Sequence, residues 1–376
     1  MSKEFYSVST LVSTIVGVGI FSLPYITAKV GLPTMLVYFL VLTVLTLLIY
    51  LIFAEVSLKT PDYKRLPGIA EYHLGPWAKK VALASMVLSS IGSILAYIII
   101  GGDFLAEIFS PMTGSLGISS GQLSVLFAII YWLLGSALIF LGINIISKIE
   151  TLGFILFFVL LAALFLIGIP HFKIENLMVR TGGWADIFLP YGAIIFALWG
   201  GDMIPEVEEM LGEKKYRLKK IIIASVVAVV AIDLFFIALT LGVSGAGVNS
   251  SAIASLAQIL GPLAGAIGFI FGIVASFTSF ITSGLTLKKI LNYDLKVSKL
   301  LSALVTCLVP IFIFLLGVRN FIPIISLIGG VMLGVNGFLI LAMYKKIKPE
   351  QNNLLLLPLM AVLLAGMAYE IIYFFN

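Results

Sequence analysis

The chain has 376 residues, 61% hydrophobic and 11% charged, against roughly 25% charged in ordinary soluble domains. No water-soluble fold of this size hides that much apolar surface, and apolar stretches near the ~20 residues that cross a bilayer recur almost end to end. The sequence therefore reads as a polytopic helical membrane protein. A transmembrane β-barrel is excluded by runs such as Ile221 to Leu241, apolar on every side.

In chain order the predicted helices are Tyr6 to Ala28, Pro33 to Leu58, Trp77 to Phe109, Gln122 to Leu141, Ile149 to Ile169, Trp184 to Leu211, Ile221 to Val243, Pro262 to Leu287, Leu300 to Leu316, Phe321 to Tyr344 and Leu354 to Phe375, eleven in all. With the N-terminus cytoplasmic, 19 of the 23 Lys and Arg residues fall inside, leaving Lys29, Lys173, Arg180 and Arg319 outside. Cytoplasmic loops concentrate basic residues in this way. The net charge of +5 is thus a topology signal rather than a nucleic-acid footprint. The C-terminus is then extracytoplasmic, and no cleavable signal peptide is expected. Cys307 is the single cysteine and lies in an apolar run, so no disulfide framework is expected.

Two segments share an interruption. The first carries Gly17-Val18-Gly19-Ile20-Phe21-Ser22-Leu23-Pro24 and the sixth Trp199-Gly200-Gly201-Asp202-Met203-Ile204-Pro205. Glycine weakens a helix interior by roughly 1 kcal/mol, and proline removes a backbone bond and clashes with the preceding turn. Both helices are expected to break near mid-membrane. Five helices separate the two breaks, and because five is odd, a second copy starts on the opposite membrane face. Residues 1–170 and 184–345 are thus expected to form a 5+5 inverted repeat, with 354–376 an additional C-terminal helix. Unwound backbone at membrane depth must line a protected cavity, where substrate should bind.

Acids within apolar segments are functional candidates by default. Asp202, beside the second break, could meet a substrate amine, carry a coupled proton or accept amides of the next half-helix. Asp233 is a second protonation candidate. Asp103 and Glu107 are expected near the outer surface, and Glu206, Glu208 and Glu209 to complement a helix dipole. Glu55, Glu150 and Glu370 lie nearer helix ends, where snorkelling or local pairing is expected. His73 and His171 are in loops, so neither a catalytic metal nor a cofactor is indicated. No Gly-x-x-x-x-Gly-Lys-Ser/Thr loop occurs, leaving an ion gradient as the driving force.

At the same residues the sequence resembles the amino acid–polyamine–organocation superfamily, and within it the amino acid/auxin permease group. The resemblance rests on Gly17-Val-Gly-Ile-Phe-Ser-Leu-Pro-Tyr25, on Ala96-Tyr-Ile-Ile-Ile-Gly-Gly-Asp-Phe104, and on Phe196-Ala-Leu-Trp-Gly-Gly-Asp-Met-Ile-Pro-Glu206. It covers nearly the whole chain and implies the leucine-transporter fold, an all-α membrane protein with helices one and six broken. In that fold the broken ends hold the substrate's carboxylate and amine. The half-helix opening near Gly17, Val18, Gly19 and Ile20, with Thr14 below, suits a carboxylate, and the carbonyls ending near Ala197 to Gly200 suit an ammonium group. Tyr97, Phe196 and Trp199 are implied as gate or lining. Ser13, Val16, Ala275, Thr278 and Ser279 map onto a Na⁺ site, while Leu152 to Leu166 offers no lysine of the kind that replaces the ion in some proton-coupled relatives. The rival account of Thr278 and Ser279 is bonding back to carbonyls one turn earlier.

The expected function is secondary transport of a neutral amino acid by alternating access in the plasma (cytoplasmic) membrane, coupled to Na⁺. An H⁺-coupled permease and a non-transporting sensor of the same fold are the alternatives. Substrate and lipid are the expected partners, nucleic acid is not, and the sequence assigns no protein partner.

Overall fold

The computed structural model describes residues 3–62, 64–113, 119–141, 146–349 and 353–375, with side chains excluded at 111–113, 141, 146–154, 353–355 and 375. Glu150, weighed above, lies outside the described side chains. Among the described residues every regular element is helical. Seven helices are long and apolar enough to cross a membrane, or eight when the bent pair at the N-terminus counts as one span.

That bent pair is α1 (Lys3–Ile15) and α2 (Leu23–Val30), joined by a 3-10 turn at Val18–Phe21 and bent by 47°. Gly31, at φ +84°, accepts the left-handed geometry that ends α2 and starts α3 (Leu32–Leu58), with Pro33 in the first turn where no amide is needed. A basic loop carries the short helix α4 (Leu66–Leu74), then α5 (Pro76–Thr113), α6 (Ser120–Leu141) and α7 (Ile146–Gly168) follow. The second interruption separates α8 (Pro190–Leu198) from α9 (Ile204–Leu211). Beyond it come α10 (Leu218–Ser244), α11 (Ala252–Leu260), α12 (Pro262–Lys289) and α13 (Lys299–Leu315). The chain closes with α14 (Phe321–Leu327), a π-helical turn at Ile328–Met332, α15 (Leu333–Ile347) and α16 (Asn353–Phe375).

Two of the long connections are not plain loops. One holds α4, and the other holds α11, whose Ser251 side chain caps the Ala254 amide. The central packing belongs to α12, which lies against α5, α7 and α11. Gly272 of α12 leaves room for the Phe104 ring, so those helices approach closely as small residues permit in membranes.

Basic residues assigned above to one membrane face pair with acids there. Glu4 meets Arg217 at 2.6 Å and Lys214 at 3.6 Å, and Glu55 meets Lys348, Lys59 and Lys219. The Glu55 carboxylate holds the Lys348 ammonium above its usual range. Arg65 spans Glu206 at 2.5 Å and Glu209 at 3.0 Å, tying the chain before α4 to α9. Glu208 accepts the Ser57 hydroxyl at 2.5 Å. The acids expected to complement the α9 dipole thus also anchor it laterally. Glu370 departs from expectation. Instead of snorkelling, it is 1% exposed and accepts the Gly192 amide at 3.0 Å.

Candidate functional site

The two interruptions repeat one local design. In the first, the Val16 amide still bonds to Val12, Gly17 is extended at φ −127°, ψ −152°, and the 3-10 turn follows. In the second, Trp199 is extended at φ −84°, ψ 125°, and a 3-10 turn at Gly201–Met203 follows. A proline then sits in the first turn of each outgoing half-helix, Pro24 in α2 and Pro205 in α9. The breaks meet backbone to backbone, for a Cβ at Gly19 would stand 2.8 Å from the Ala197 Cα. A Cβ at Gly200 would collide with the Ile15 side chain.

Beside this crossing lies a cavity of about 390 Å³ that extends toward the N-terminal end of α1. Phe5, Tyr6, Ser9, Thr10, Ser13, Thr14 and Val16 of the first segment form one wall, and Ala275, Thr278, Ser279, Thr282 and Ser283 of α12 the facing one. Tyr97 of α5, Met203 after the second break, and Ile155, Phe157 and Phe158 of α7 complete it. Every described lining side chain is uncharged, and the Tyr97 hydroxyl faces Ser93, Ser279 and Ser283. On the far side of the break the way is shut. Phe21 meets Phe104, Phe271 and Phe236 edge-on at centroid separations of 5.2, 5.5 and 5.9 Å, and all four rings are fully buried. Such pairs contribute about 0.5–1.5 kcal/mol each beyond area burial.

Of the residues expected at a substrate, Thr14 and Tyr97 line the cavity. Gly17 is half-buried beside the Ser279 hydroxyl, 3.5 Å from where its Cβ would be. Val18, Gly19, Ile20, Ala197 and Gly200 are buried in the crossing itself, and Phe196 and Trp199 are half-buried outside the cavity wall. Asp202 accepts the Trp199 indole N–H at 3.4 Å through Oδ2, while its buried Oδ1 has no partner among the described residues. Asp233 is buried on α10, away from the cavity, and its Oδ2 also lacks a partner there.

The residues mapped onto a Na⁺ site do converge, since Ser13, Val16, Ala275, Thr278 and Ser279 all line the cavity. Their hydroxyl hydrogens are engaged: Ser13 donates to Thr10, Thr278 to Val274 and Ala275, and Ser279 to Ala275, at 3.0–3.1 Å. A hydroxyl that donates its hydrogen keeps lone pairs for a cation, so this all-oxygen set still fits a hard ion. Among the described residues no group of three His, Cys, Asp or Glu side chains could hold a metal.

Sequence reasoning missed Tyr50. This fully buried side chain of α3 donates its hydroxyl to the Leu198 carbonyl at 2.9 Å and accepts the Gly200 amide, satisfying both sides of the second break. Nothing local in the sequence marks it. Ser9, Thr282 and Ser283 were also missed, though the hydroxyls at 278, 279, 282 and 283 recur at helical spacing and mark one face of α12.

The model of the tryptophan/tyrosine permease family matches residues 1–356, and the chain belongs to that family. It is 25% identical over 218 residues to Glutamine transporter 2 of Aliivibrio fischeri, covering 58% of this chain and 54% of that protein. It is 26% identical over 237 residues to Tyrosine-specific transport system 1 of Haemophilus influenzae, covering 61% and 56%. The chain thus spans about half the length of the curated relatives it matches. In fold it resembles MhsT in complex with L-phenylalanine, with TM-score 0.66, 15% identity and 97% of each chain covered. The inward-facing conformation of Mhp1 aligns with TM-score 0.70 and 14% identity over 93% of this chain and 78% of that one. These relatives are transporters rather than enzymes.

Proposed function

We propose that this permease is a secondary transporter that moves a neutral amino acid with Na⁺ by alternating access across the cytoplasmic membrane. The observation that carries the reading is the cavity beside two broken helices, about 390 Å³ and without a charged side chain among the described residues of its wall. A zwitterion can be held by backbone groups at the breaks, where dipole ends offer both signs, and an uncharged wall favours a neutral side chain. Relatives named for tyrosine and glutamine transport and a fold neighbour bound to L-phenylalanine point to the same class.

The architecture we propose is eleven crossings. Each broken pair, α1–α2 and α8–α9, makes one span, and α7 and α13 are spans of their own. Residues 1–170 and 184–345 are read as inverted copies and 354–376 as the added helix, consistent with the repeated design of the breaks. With the N-terminus cytoplasmic, as the basic residues favour, the cavity opens inward and the Phe21 cluster is the closed outer gate. The wider amino acid–polyamine–organocation resemblance supports this reading.

Na⁺ is favoured by the oxygen-lined convergence of Ser13, Val16, Ala275, Thr278 and Ser279, and by the lack of a lysine from Leu152 to Leu166. H⁺ coupling is the second reading, favoured by buried oxygens on Asp202 and Asp233 that have no partner among the described residues. Uptake of radiolabelled tyrosine, tryptophan, phenylalanine, glutamine, lysine and glutamate into proteoliposomes tests the substrate class. Saturable uptake from among the first four is expected, and uptake restricted to lysine or glutamate would refute a neutral substrate.

A further inference from the structure

The last helix, α16, carries a carboxyl group into the packed interior where none was expected. Glu370 is 1% exposed, and its Oε1 accepts the Gly192 amide in the first turn of α8 at 3.0 Å. Missing side chains make room for it. A Cβ at Gly192 would stand 2.5 Å from Glu370 Oε1, and one at Gly330 would collide with Glu370 Cγ. Gly330 lies in the π-helical turn Ile328–Met332, a distortion found often at functional sites. Glu370 therefore joins three elements, the half-helix that leads into the second break, the π-turn and α16.

Two further polar groups stand beside it unused. The Tyr191 ring, from α8, lies over Gly366 one turn earlier on α16. Its hydroxyl and that of Ser326 belong to side chains more than nine-tenths buried, and neither has a hydrogen-bond partner among the described residues. The titratable groups facing Glu370 are the phenols of Tyr191 and, on its own helix, Tyr369 and Tyr373, with Tyr25, Tyr38 and Asp186 beyond them. The π-turn and α14 contribute none. Those of α15, from Tyr344 to Lys346, lie at its opposite end near Lys348 and His73. Glu370 forms no ion pair among the described residues. A buried carboxylate without a cation carries a desolvation cost that proton binding relieves.

A route to water is at hand. A second cavity, of about 360 Å³, lies on the side of Lys29 and Arg319 and is walled by Asp186, Leu189, Ile322 and Tyr373. Tyr373 is three residues from Glu370, and Leu189 three from Gly192, so the wall is one helical turn away.

We infer that Glu370 is a proton-binding site, filled from this second cavity, whose occupancy sets how firmly α8 is held to α16 and the π-turn. A proton from that water forms the O–H bond of the neutral acid, which can donate to Tyr191 or Ser326. When the proton leaves, the same hydroxyls can donate to the carboxylate. Oε1 keeps the Gly192 amide in both states. The site is separate from Asp202, Asp233 and the Na⁺ set, and goes beyond the sodium-coupled reading.

The test is an infrared pH titration of the purified full chain in lipid nanodiscs, following the carbonyl stretch of protonated carboxylic acids. Glu370→Gln keeps the size and the acceptor for Gly192 but cannot bind the proton. One titrating band should be lost in that variant, distinct from any lost in Asp202→Asn or Asp233→Asn, and its midpoint should shift in Tyr191→Phe. A Glu370→Gln spectrum identical to wild type overturns the proposal. If that variant does not fold, a Tyr191→Phe titration with no shifted midpoint overturns it. Neither readout needs substrate or Na⁺, so failure of the transport reading would leave this result standing.

Discussion

Tyr50 and Leu198 are joined across 148 residues of chain by a 2.9 Å hydrogen bond that ends the carbonyl ladder of α8. The same hydroxyl receives the Gly200 amide, so one buried phenol serves both sides of the break. Tyr50→Phe keeps the ring against Trp199, centroids 5.7 Å apart, but leaves a buried carbonyl and amide unpaired. An unsatisfied buried group costs about 1–3 kcal/mol. Thermal unfolding in detergent should show a lower midpoint together with weakened substrate binding, and an unchanged midpoint would show that the bond carries no load.

Bulk at Gly19 should act on the crossing of the two breaks. Its added Cβ meets Ala197 backbone, which cannot swing aside as a flexible side chain would. Gly19→Leu is expected to abolish substrate binding while protein still inserts in membranes, with overpacking worth about 1–3 kcal/mol. Gly247→Ala, where nothing lies within 4 Å, is the control and should bind normally. Equal binding in both variants would contradict the close crossing.

Arg65 should favour the conformation seen here. It joins Glu206 and Glu209 on α9 while half exposed, and exposed pairs contribute up to about 1 kcal/mol. In a Ser9→Cys background, with native Cys307 buried, a membrane-impermeant thiol reagent reports the opening of the cavity. Arg65→Ala should lower the labelling rate roughly fivefold, the equivalent of ~1 kcal/mol. An unchanged or faster rate would place the clamp elsewhere.

Asp202 is the acid whose loss should slow transport most. Its Oδ2 holds the Trp199 indole beside the break, and its other oxygen has no partner among the described residues. Asp202→Asn should reduce uptake in liposomes by roughly tenfold, about 1.4 kcal/mol in the rate-limiting step. Wild-type rates in this variant would remove Asp202 from the mechanism. Loss of proton-driven uptake in Asp233→Asn would move the coupling ion to H⁺.

The legible parts of this molecule were those written in local backbone chemistry. Paired glycines ahead of Pro24 and Pro205 marked both breaks because such residues alter the helix where they stand. Thr14 and Tyr97 were placed in the cavity by resemblance. The shape of the rest depends on partners distant in sequence. Tyr50 is an ordinary aromatic in an apolar run until α8 ends against it. Glu370 looks like a helix-end acid until Gly192 and Gly330 open a space for it. Val18, Gly19 and Ile20 suggested exposed amides, whereas the structure buries them in the crossing because Gly19 lets α8 come so near.

The most direct measurement is amino acid uptake and affinity in proteoliposomes, comparing Na⁺ with choline in wild type and in Thr278→Val/Ser279→Ala. The sodium set and the substrate cavity share the same walls, so ion and substrate affinities should rise together, reciprocally. The account predicts saturable uptake of a neutral amino acid, tighter binding in Na⁺ than in choline, and loss of that difference in the double variant. Wild-type affinity and uptake indifferent to Na⁺ would contradict it.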